Sequence, residues 1–189
     1  IDHLIADGVL FRISGRGAFV SPRVFHRGPH VKSFSLLMQE QGFTASSRII
    51  RFERIDPPEN VRVALRLEPG EKAYYLVRIR LGGDIPMAYE CAYLPVSRLG
   101  DLEQFDFAND SLYRIFTEEL GQKFQNLREE ISAVRVNGEI ARALYKKPQG
   151  ICLLVNGTTY NQYQEPIEFC FSYYNNEHYK YCNINNTFL

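Results

Sequence analysis

The stretch that decides the fold is residues 72–95, KAYYLVRIRLGGDIPMAYECAYLP. Two runs rich in aromatic and β-branched residues flank a Gly-Gly-Asp turn, which is the pattern of two antiparallel strands joined by a hairpin. Successive side chains point to opposite faces of a strand, so residues 75–81 place apolar side chains on one face and Arg78 and Arg80 on the other. The two guanidinium groups are then about 7 Å apart along the strand, from a rise of ~3.3 Å per residue.

Two further runs show the same division into an apolar and a polar face. In residues 86–93, PMAYECAY, Ala88 shares a face with Glu90. In residues 167–174, IEFCFSYY, the apolar face carries aromatic side chains and the polar face carries Glu168, Cys170, Ser172 and Tyr174. Polar faces of this kind often meet solvent in antiparallel sheets. Alternatively they form a site, since paired arginines bind phosphate or carboxylate, and carboxylates and phenols bind sugar or amine donors.

The second half of the chain repeats the order of the first. A helix, a strand, a second helix and a hairpin are predicted over residues 33–95 and again over residues 110–175. Pro69 matches Pro148 at an offset of 79, and Pro86 matches Pro166 at an offset of 80. We therefore expect an α+β domain with a mainly antiparallel sheet, built from two βαββ-like half-repeats that are each preceded by a helix.

Composition narrows the classes of function. The 189 residues carry a formal net charge of zero, which argues against a chain coated in basic residues for nucleic acid. No run approaches the roughly 20 apolar residues that span a bilayer. The four cysteines lack CxxC spacing and partner histidines, so we predict reduced thiols, a cytoplasmic location and no metal site. The sequence shows no Ser-His-Asp or Cys-His arrangement, and we predict no catalytic residue.

The N-terminal residues form a separate small unit. Residues 4–22, LIADGVLFRISGRGAFVSP, predict a helix end and two strands around a Gly-Arg-Gly tip. Such a ribbon is too small to fold alone. The chain begins with Ile1 rather than Met, and that residue is predicted to lie inside a helix, so we expect a fragment of a longer chain. Residues 23–32 carry Pro, Gly and charge without periodicity, which is typical of a linker.

Together these segments resemble the GntR family of bacterial regulators. Residues 4–22 resemble the end of its winged helix-turn-helix, in which a glycine-tipped wing closes with Gly-x-Phe-Val, here residues 17–20. Residues 33 to about 180 resemble the UTRA effector domain, which has a chorismate-lyase-like fold. The matching segments are SFSLLMQEQGF, ALRLEPGE, YLVRIRL, IPMAYECAYLP, SLYRIFTEELG and EPIEFCFSYY. The expected domains are a remnant β-wing over 1–22, a linker over 23–32 and the effector domain over 33–189.

The resemblance implies a transcriptional regulator, usually a repressor, that acts as a homodimer on palindromic operator DNA. Small metabolites, often phosphorylated sugars, bind the effector domain of such proteins, and neither a cofactor nor a membrane is implied. Carried onto this sequence, the effector-binding residues are Phe34, Ser35, Arg78, Arg80, Glu90, Ser111, Tyr113, Glu168, Ser172 and Tyr174. The wing residues that would contact DNA are Arg12, Ser14, Gly15, Arg16 and Gly17.

The sequence departs from the family at its front, where the recognition helix is missing. A wing alone would bind DNA weakly and without sequence preference, because phosphate contacts position a protein and base contacts specify. Two other functions therefore stay open. One is a chorismate-lyase-like enzyme, since arginines and a glutamate also suit a carboxylate substrate. The other is a stand-alone metabolite-binding module with no role on DNA.

Overall fold

The computed structural model describes residues 1, 10–13, 17–20, 25–27 and 33–181. Their strands are β1 (Leu10–Ile13), β2 (Gly17–Val20), β3 (Phe25–Arg27), β4 (Ala45–Ile55), β5 (Ala73–Gly82), β6 (Ile85–Pro95), β7 (Phe124–Asn137), β8 (Gln149–Asn161), β9 (Pro166–Asn175) and β10 (Tyr179–Tyr181). The helices are α1 (Phe34–Glu40), α2 (Glu59–Ala64), α3 (Val96–Leu99), α4 (Leu112–Arg114), a π-helical turn (Ile115–Glu119) and α5 (Gly138–Tyr145). The chain divides into two compact units, residues 1–30 with 176–189, and residues 31–175.

The first unit contains two small two-stranded sheets. β1 and β2 form an antiparallel pair, as the sequence predicts, with Arg12 opposite Ala18. Gly17 has a φ of +100°, a backbone conformation that glycine adopts without steric cost. The predicted tip residues 14–16, which include Ser14, Gly15 and Arg16, lie outside the described residues. β3 pairs in parallel with β10, so the segment predicted as a linker contains a short strand.

The second unit is built on a six-stranded sheet in the order β4-β5-β6-β9-β8-β7, and every pair in it is antiparallel. Each half-repeat supplies three consecutive strands with one helix between the first and the second. The two halves meet at the centre, where β6 pairs with β9. Just after the ends of α2 and α5, Arg66 and Lys146 have positive φ angles of 51° and 54°. The predicted α+β fold with two half-repeats is confirmed.

Helices cover both faces of this sheet. We call the face that bears Arg78 the front face and the face that bears Val77 the back face. On the front, Leu99, Leu112, Ile115 and Phe116 from α3, α4 and the π-helical turn join sheet residues in one buried cluster. On the back, α5 and α2 bury two further clusters against the sheet. The alternative that the polar strand faces simply meet solvent is wrong, because Arg78 is only 3 % exposed.

The helix predicted over residues 110–122 differs from expectation. It consists of the single turn α4 followed by the π-helical turn, in which the amide of Leu120 donates to the carbonyl of Ile115 at 3.0 Å. Ile115 and Phe116 are adjacent in this turn, and both are fully buried. A strict 3.6-residue period would separate two such neighbours by about 100° around the helix axis.

Candidate functional site

The front face brings the predicted sheet residues together across three neighbouring strands. Glu90 of β6 lies between Arg78 of β5 and Ser172 of β9 in the register of the sheet. One step along, Ala88 separates Arg80 from Tyr174 in the same way. The alternation predicted from the sequence therefore places these polar side chains on one face, and the β6–β9 pairing joins the two half-repeats beneath them. We call this group, with the helix residues described next, the front cluster.

Arg78 and Glu90 form a buried ion pair at the centre of the front cluster. The Nε atom of Arg78 donates to Oε1 of Glu90 at 2.5 Å, and the side chains are 3 % and 11 % exposed. The Nη1 atom of Arg78 is also buried and has no hydrogen-bond partner among the described residues. Buried donors are almost always paired in folded proteins. This atom is therefore positioned to donate to a group that the described residues do not supply.

Arg80 connects the sheet to the start of α1. Its Nη2 atom lies 3.5 Å from Oγ of Ser35, and its guanidinium carbon lies 4.5 Å from the ring centroid of Phe34. Ser33 caps α1 by accepting from the amide of Leu36 at 3.1 Å, which fixes where the helix begins. The structure thus brings both predicted α1 residues to Arg80.

Arg80 is the least compensated charge of the front cluster. Burial, and then the neighbouring charge of Arg78, lowers the pKa of Arg80 to about 10. Its Nε atom is buried and lacks a partner among the described residues. The side chain is only 4 % exposed, so solvent screens this charge little. An anion at this point would gain charge-assisted hydrogen bonds and relieve the cost of the buried cation.

The other end of the front cluster is a group of hydroxyls around Glu168. Its Oε2 atom accepts from the hydroxyl of Tyr113 at 3.0 Å and from that of Thr159 at 2.8 Å. Burial, and then the charge of Glu90, raises the pKa of Glu168 to about 7. Burial followed by the charge of Glu168 raises the pKa of Tyr113 well above its usual range. This end can accept or donate hydrogen bonds, because a carboxyl with a pKa of about 7 is present in both protonation states near neutral pH.

Two residues of the front cluster are absent from the predicted set. Thr159 holds Glu168, and Cys170 lies 3.3 Å from the hydroxyl of Ser172. The strand alternation does place Cys170 on the polar face, but Thr159 is identified only through its register opposite Glu168. Ser111 precedes α4 without capping it through its side chain, and its part in a site stays a prediction.

The raised pKa of Glu168 predicts a pH-dependent stability. Because the pKa is higher in the folded chain than in the unfolded one, the protonated carboxyl favours folding, and that contribution is lost as the pH rises from about 4.5 to 7. Between pH 5 and 7.5 the free energy of unfolding should fall by about 2 kcal/mol more in the parent than in Glu168→Gln, at about 1.4 kcal/mol per unit of pKa. Urea unfolding at the two pH values measures the difference. Identical pH dependence in the two proteins would contradict the raised pKa.

Among the described residues, no group of three or more His, Cys, Asp and Glu side chains is arranged to hold a metal ion. In those residues, too, no helix has the length and apolar character needed to cross a membrane.

Comparison with known proteins identifies the domain. The UTRA domain model matches residues 40–180. The chain belongs to the UTRA domain family. The HTH-type transcriptional repressor NagR of Bacillus subtilis strain 168 is 29% identical over 182 residues, which cover 96% of this chain and 74% of that protein. The ligand-binding domain of a putative GntR-family transcriptional regulator from Bordetella bronchiseptica is 29% identical, with a TM-score of 0.69 over 75% of this chain and 91% of that one.

A more distant solved structure supports the fold alone. PhnF from Mycobacterium smegmatis has a TM-score of 0.85 at 20% identity and covers 98% of this UTRA chain and 81% of its own. The resemblance to GntR-family regulators with a UTRA domain is confirmed, and the chain is a transcriptional regulator, as its relatives are, rather than an enzyme. The match begins at residue 40, so the assignment of residues 1–22 to a DNA-binding wing stays a prediction.

Proposed function

We propose that this UTRA chain is the effector-sensing part of a repressor, and that the front cluster binds a small anionic metabolite, with a sugar phosphate preferred. The observation that carries the proposal is the pair of buried arginines with unpartnered N–H groups. Leaving a buried donor unpaired costs about 1–3 kcal/mol. An anionic ligand that accepts from Arg78 and Arg80 would remove this cost, whereas a neutral ligand would leave Arg80 uncompensated.

The opposite end of the front cluster supports the sugar part of the proposal. Glu168, Tyr113 and Thr159 offer a carboxyl and two hydroxyls that already bond one another. Sugar hydroxyls both donate and accept, so they can join such a group whichever way its protons are arranged. The ligand would then lie across the β6–β9 pairing with its anionic group towards Arg80.

Signal transmission would begin at α1. Phe34 and Ser35 contact Arg80 and directly follow the segment 23–32 in the chain. An anion that competes for the Arg80 donors would change the preferred position of these two residues. Within a homodimer, effector and operator DNA would then favour different conformations, which is coupling by population shift. The residues that would contact DNA are the predicted wing residues Arg12 and Gly17, together with the tip residues 14–16 between them.

A thermal-shift screen tests the proposal with three sets of compounds: sugar phosphates, the same sugars without phosphate, and phosphonates with amino acids. A compound present at 100 times its Kd stabilises the fold by about 2.7 kcal/mol. We expect stabilisation by at least one sugar phosphate and none by its unphosphorylated partner at equal concentration. Equal stabilisation by a sugar and by the same sugar carrying a phosphate would show that the arginines do not bind the anionic group. That result would overturn the proposed ligand class.

A further inference from the structure

We infer that a groove on the back face of the sheet is a second ligand site, for a small anion that also carries hydroxyl groups. The groove has a volume of about 270 Å³ and lies between the end of α2 and strands β7 and β8. Asn156 and Thr158 of β8 and Phe169 of β9 form its floor. Thr158 and Thr159 are adjacent in the chain and point to opposite faces, so the sheet itself separates this groove from the front cluster.

The groove exists because the two half-repeats are not covered equally. α5 has eight residues and packs against strands of both halves, whereas the equivalent α2 has six. Val61 of α2 and Leu65, which directly follows the helix, are buried with Phe169. The helix then ends, and Arg66 takes the left-handed conformation that turns the chain. The back of β7 and β8 beside this end is left as an open depression lined by polar side chains.

Asn156 sets the first requirement that a ligand of the groove must meet, which is a hydrogen-bond donor. Its Oδ1 atom is buried and has no hydrogen-bond partner among the described residues. A buried acceptor left unpaired is as costly as a buried donor, so the floor of the groove calls for a hydrogen-bond donor. The hydroxyl of Thr158, on the same face two residues along, can donate or accept beside it. A ligand hydroxyl satisfies both groups.

Two arginines at the groove set the second requirement, which is a negative charge on the ligand. The guanidinium carbon of Arg66 lies 5.6 Å from the ring centroid of Tyr160, and its Nη1 atom donates to the carbonyl of Gln164 at 3.2 Å. These contacts hold the cation in place and leave its other nitrogens for a ligand. Arg128 pairs with Glu130 at 3.2 Å, but both side chains are more than two-thirds exposed, and pairs of that kind are weak. Arg66, Arg128 and Glu130 together give the groove a net charge of one positive unit.

The size of the groove limits the ligand further. Pockets for drug-sized molecules span about 300–1,000 Å³, and this one lies just below that range. The chemistry and the volume together point to a short-chain hydroxylated phosphate or hydroxy acid. Glycerol 3-phosphate has both functional groups and serves as the probe, with inorganic phosphate and glycerol as the matched probes that carry one group each.

Amide chemical shifts of the ¹⁵N-labelled chain during titration with each probe test the inference. With glycerol 3-phosphate we expect saturable shifts at the back-face residues Ala64 and Thr158. Inorganic phosphate should bind at least 10-fold more weakly, and glycerol should give no saturation. Shifts confined to the front cluster, for example at Ser172, would overturn the inference and leave the proposed effector site intact.

Matched variants assign the binding to the groove. Arg66→Gln should weaken the probe at least 10-fold, because glutamine removes the charge at an exposed position. Arg51→Gln is the control, since Arg51 is likewise exposed and lies 6.0 Å from the ring centroid of Tyr75, away from the groove. Asn156→Leu should also weaken binding of the probe, because leucine removes the buried Oδ1 acceptor that would bind its hydroxyl. Unchanged affinity in both groove variants, with folded spectra, would overturn the inference.

Discussion

Replacement of Glu90 by glutamine will lower the free energy of unfolding by about 3–5 kcal/mol, which is the usual cost of removing one partner of a buried ion pair. The variant keeps the shape of the side chain and leaves the Arg78 cation in a site where it is 3 % exposed. Arg80 lies on the same face two residues away, so two uncompensated cations would remain near one another.

Urea unfolding of three variants isolates this effect. Glu53→Gln is the control, since Glu53 pairs with Arg51 at 3.5 Å in a position where both side chains are about half exposed. That change should cost no more than about 0.5 kcal/mol. The double variant Arg78→Met/Glu90→Met should recover much of the loss, because two apolar side chains replace a pair that is expensive to desolvate. A cost for Glu90→Gln as small as that for Glu53→Gln would show that the pair is not a buried ion pair in solution.

Arg80→Met will raise the Kd of the tightest-binding anionic compound of the thermal-shift screen by about 30-fold or more. Loss of a buried charge partner costs at least about 2 kcal/mol of binding free energy, and each 1.4 kcal/mol is tenfold in Kd. Arg80 is preferred to Arg78 for this test because no carboxylate is left unpaired when it is removed. The pKa of Arg80, already lowered by burial, indicates that the fold does not depend on its charge.

Calorimetry with the parent, Arg80→Met and Arg48→Met provides the measurement. Arg48 is an exposed arginine on the neighbouring strand β4 and lies opposite Ile79, whose side chain belongs to the back face, so its removal should leave the Kd unchanged. In the full-length regulator, Arg80→Met should keep operator binding and lose the response to the compound. An Arg80→Met protein that binds the compound as tightly as the parent would remove the front cluster as the effector site.

The sequence predicts which side chains share a face of a strand better than it predicts what packs on that face. Alternation is a local property, so Arg78 and Arg80 could be placed on one face of β5 without a structure, and Glu90 with Ala88 on one face of β6. That these two faces coincide depends on a shift of register between Arg80 and Leu81, next to the hairpin turn. Whether that face meets water depends on α1, α4 and the π-helical turn, which pack on it from elsewhere in the chain. A local pattern does not contain this information, so the sequence alone leaves a solvent-exposed polar face as an alternative.

The sequence does not predict Thr159 or the π-helical turn for the same physical reason, because neither follows from the local pattern. Thr159 faces Glu168 only because β8 and β9 pair in one register, and that register shifts by one residue between Thr159 and Tyr160. A one-residue shift changes which side chains share a face. The π-helical turn depends on an i to i+5 hydrogen bond that a 3.6-residue period does not anticipate.

The central β6–β9 pairing has a consequence for how recognition can diverge in such a duplicated domain. The arginines of the front cluster all belong to the first copy of the repeat, whereas Glu168 and Thr159 belong to the second. Neither half-repeat alone holds both ends of the front cluster, so recognition of the proposed ligand would need both. If the proposed ligand is correct, substitutions confined to the second half-repeat would alter the preferred sugar, while the preference for an anion would stay with the arginines of the first.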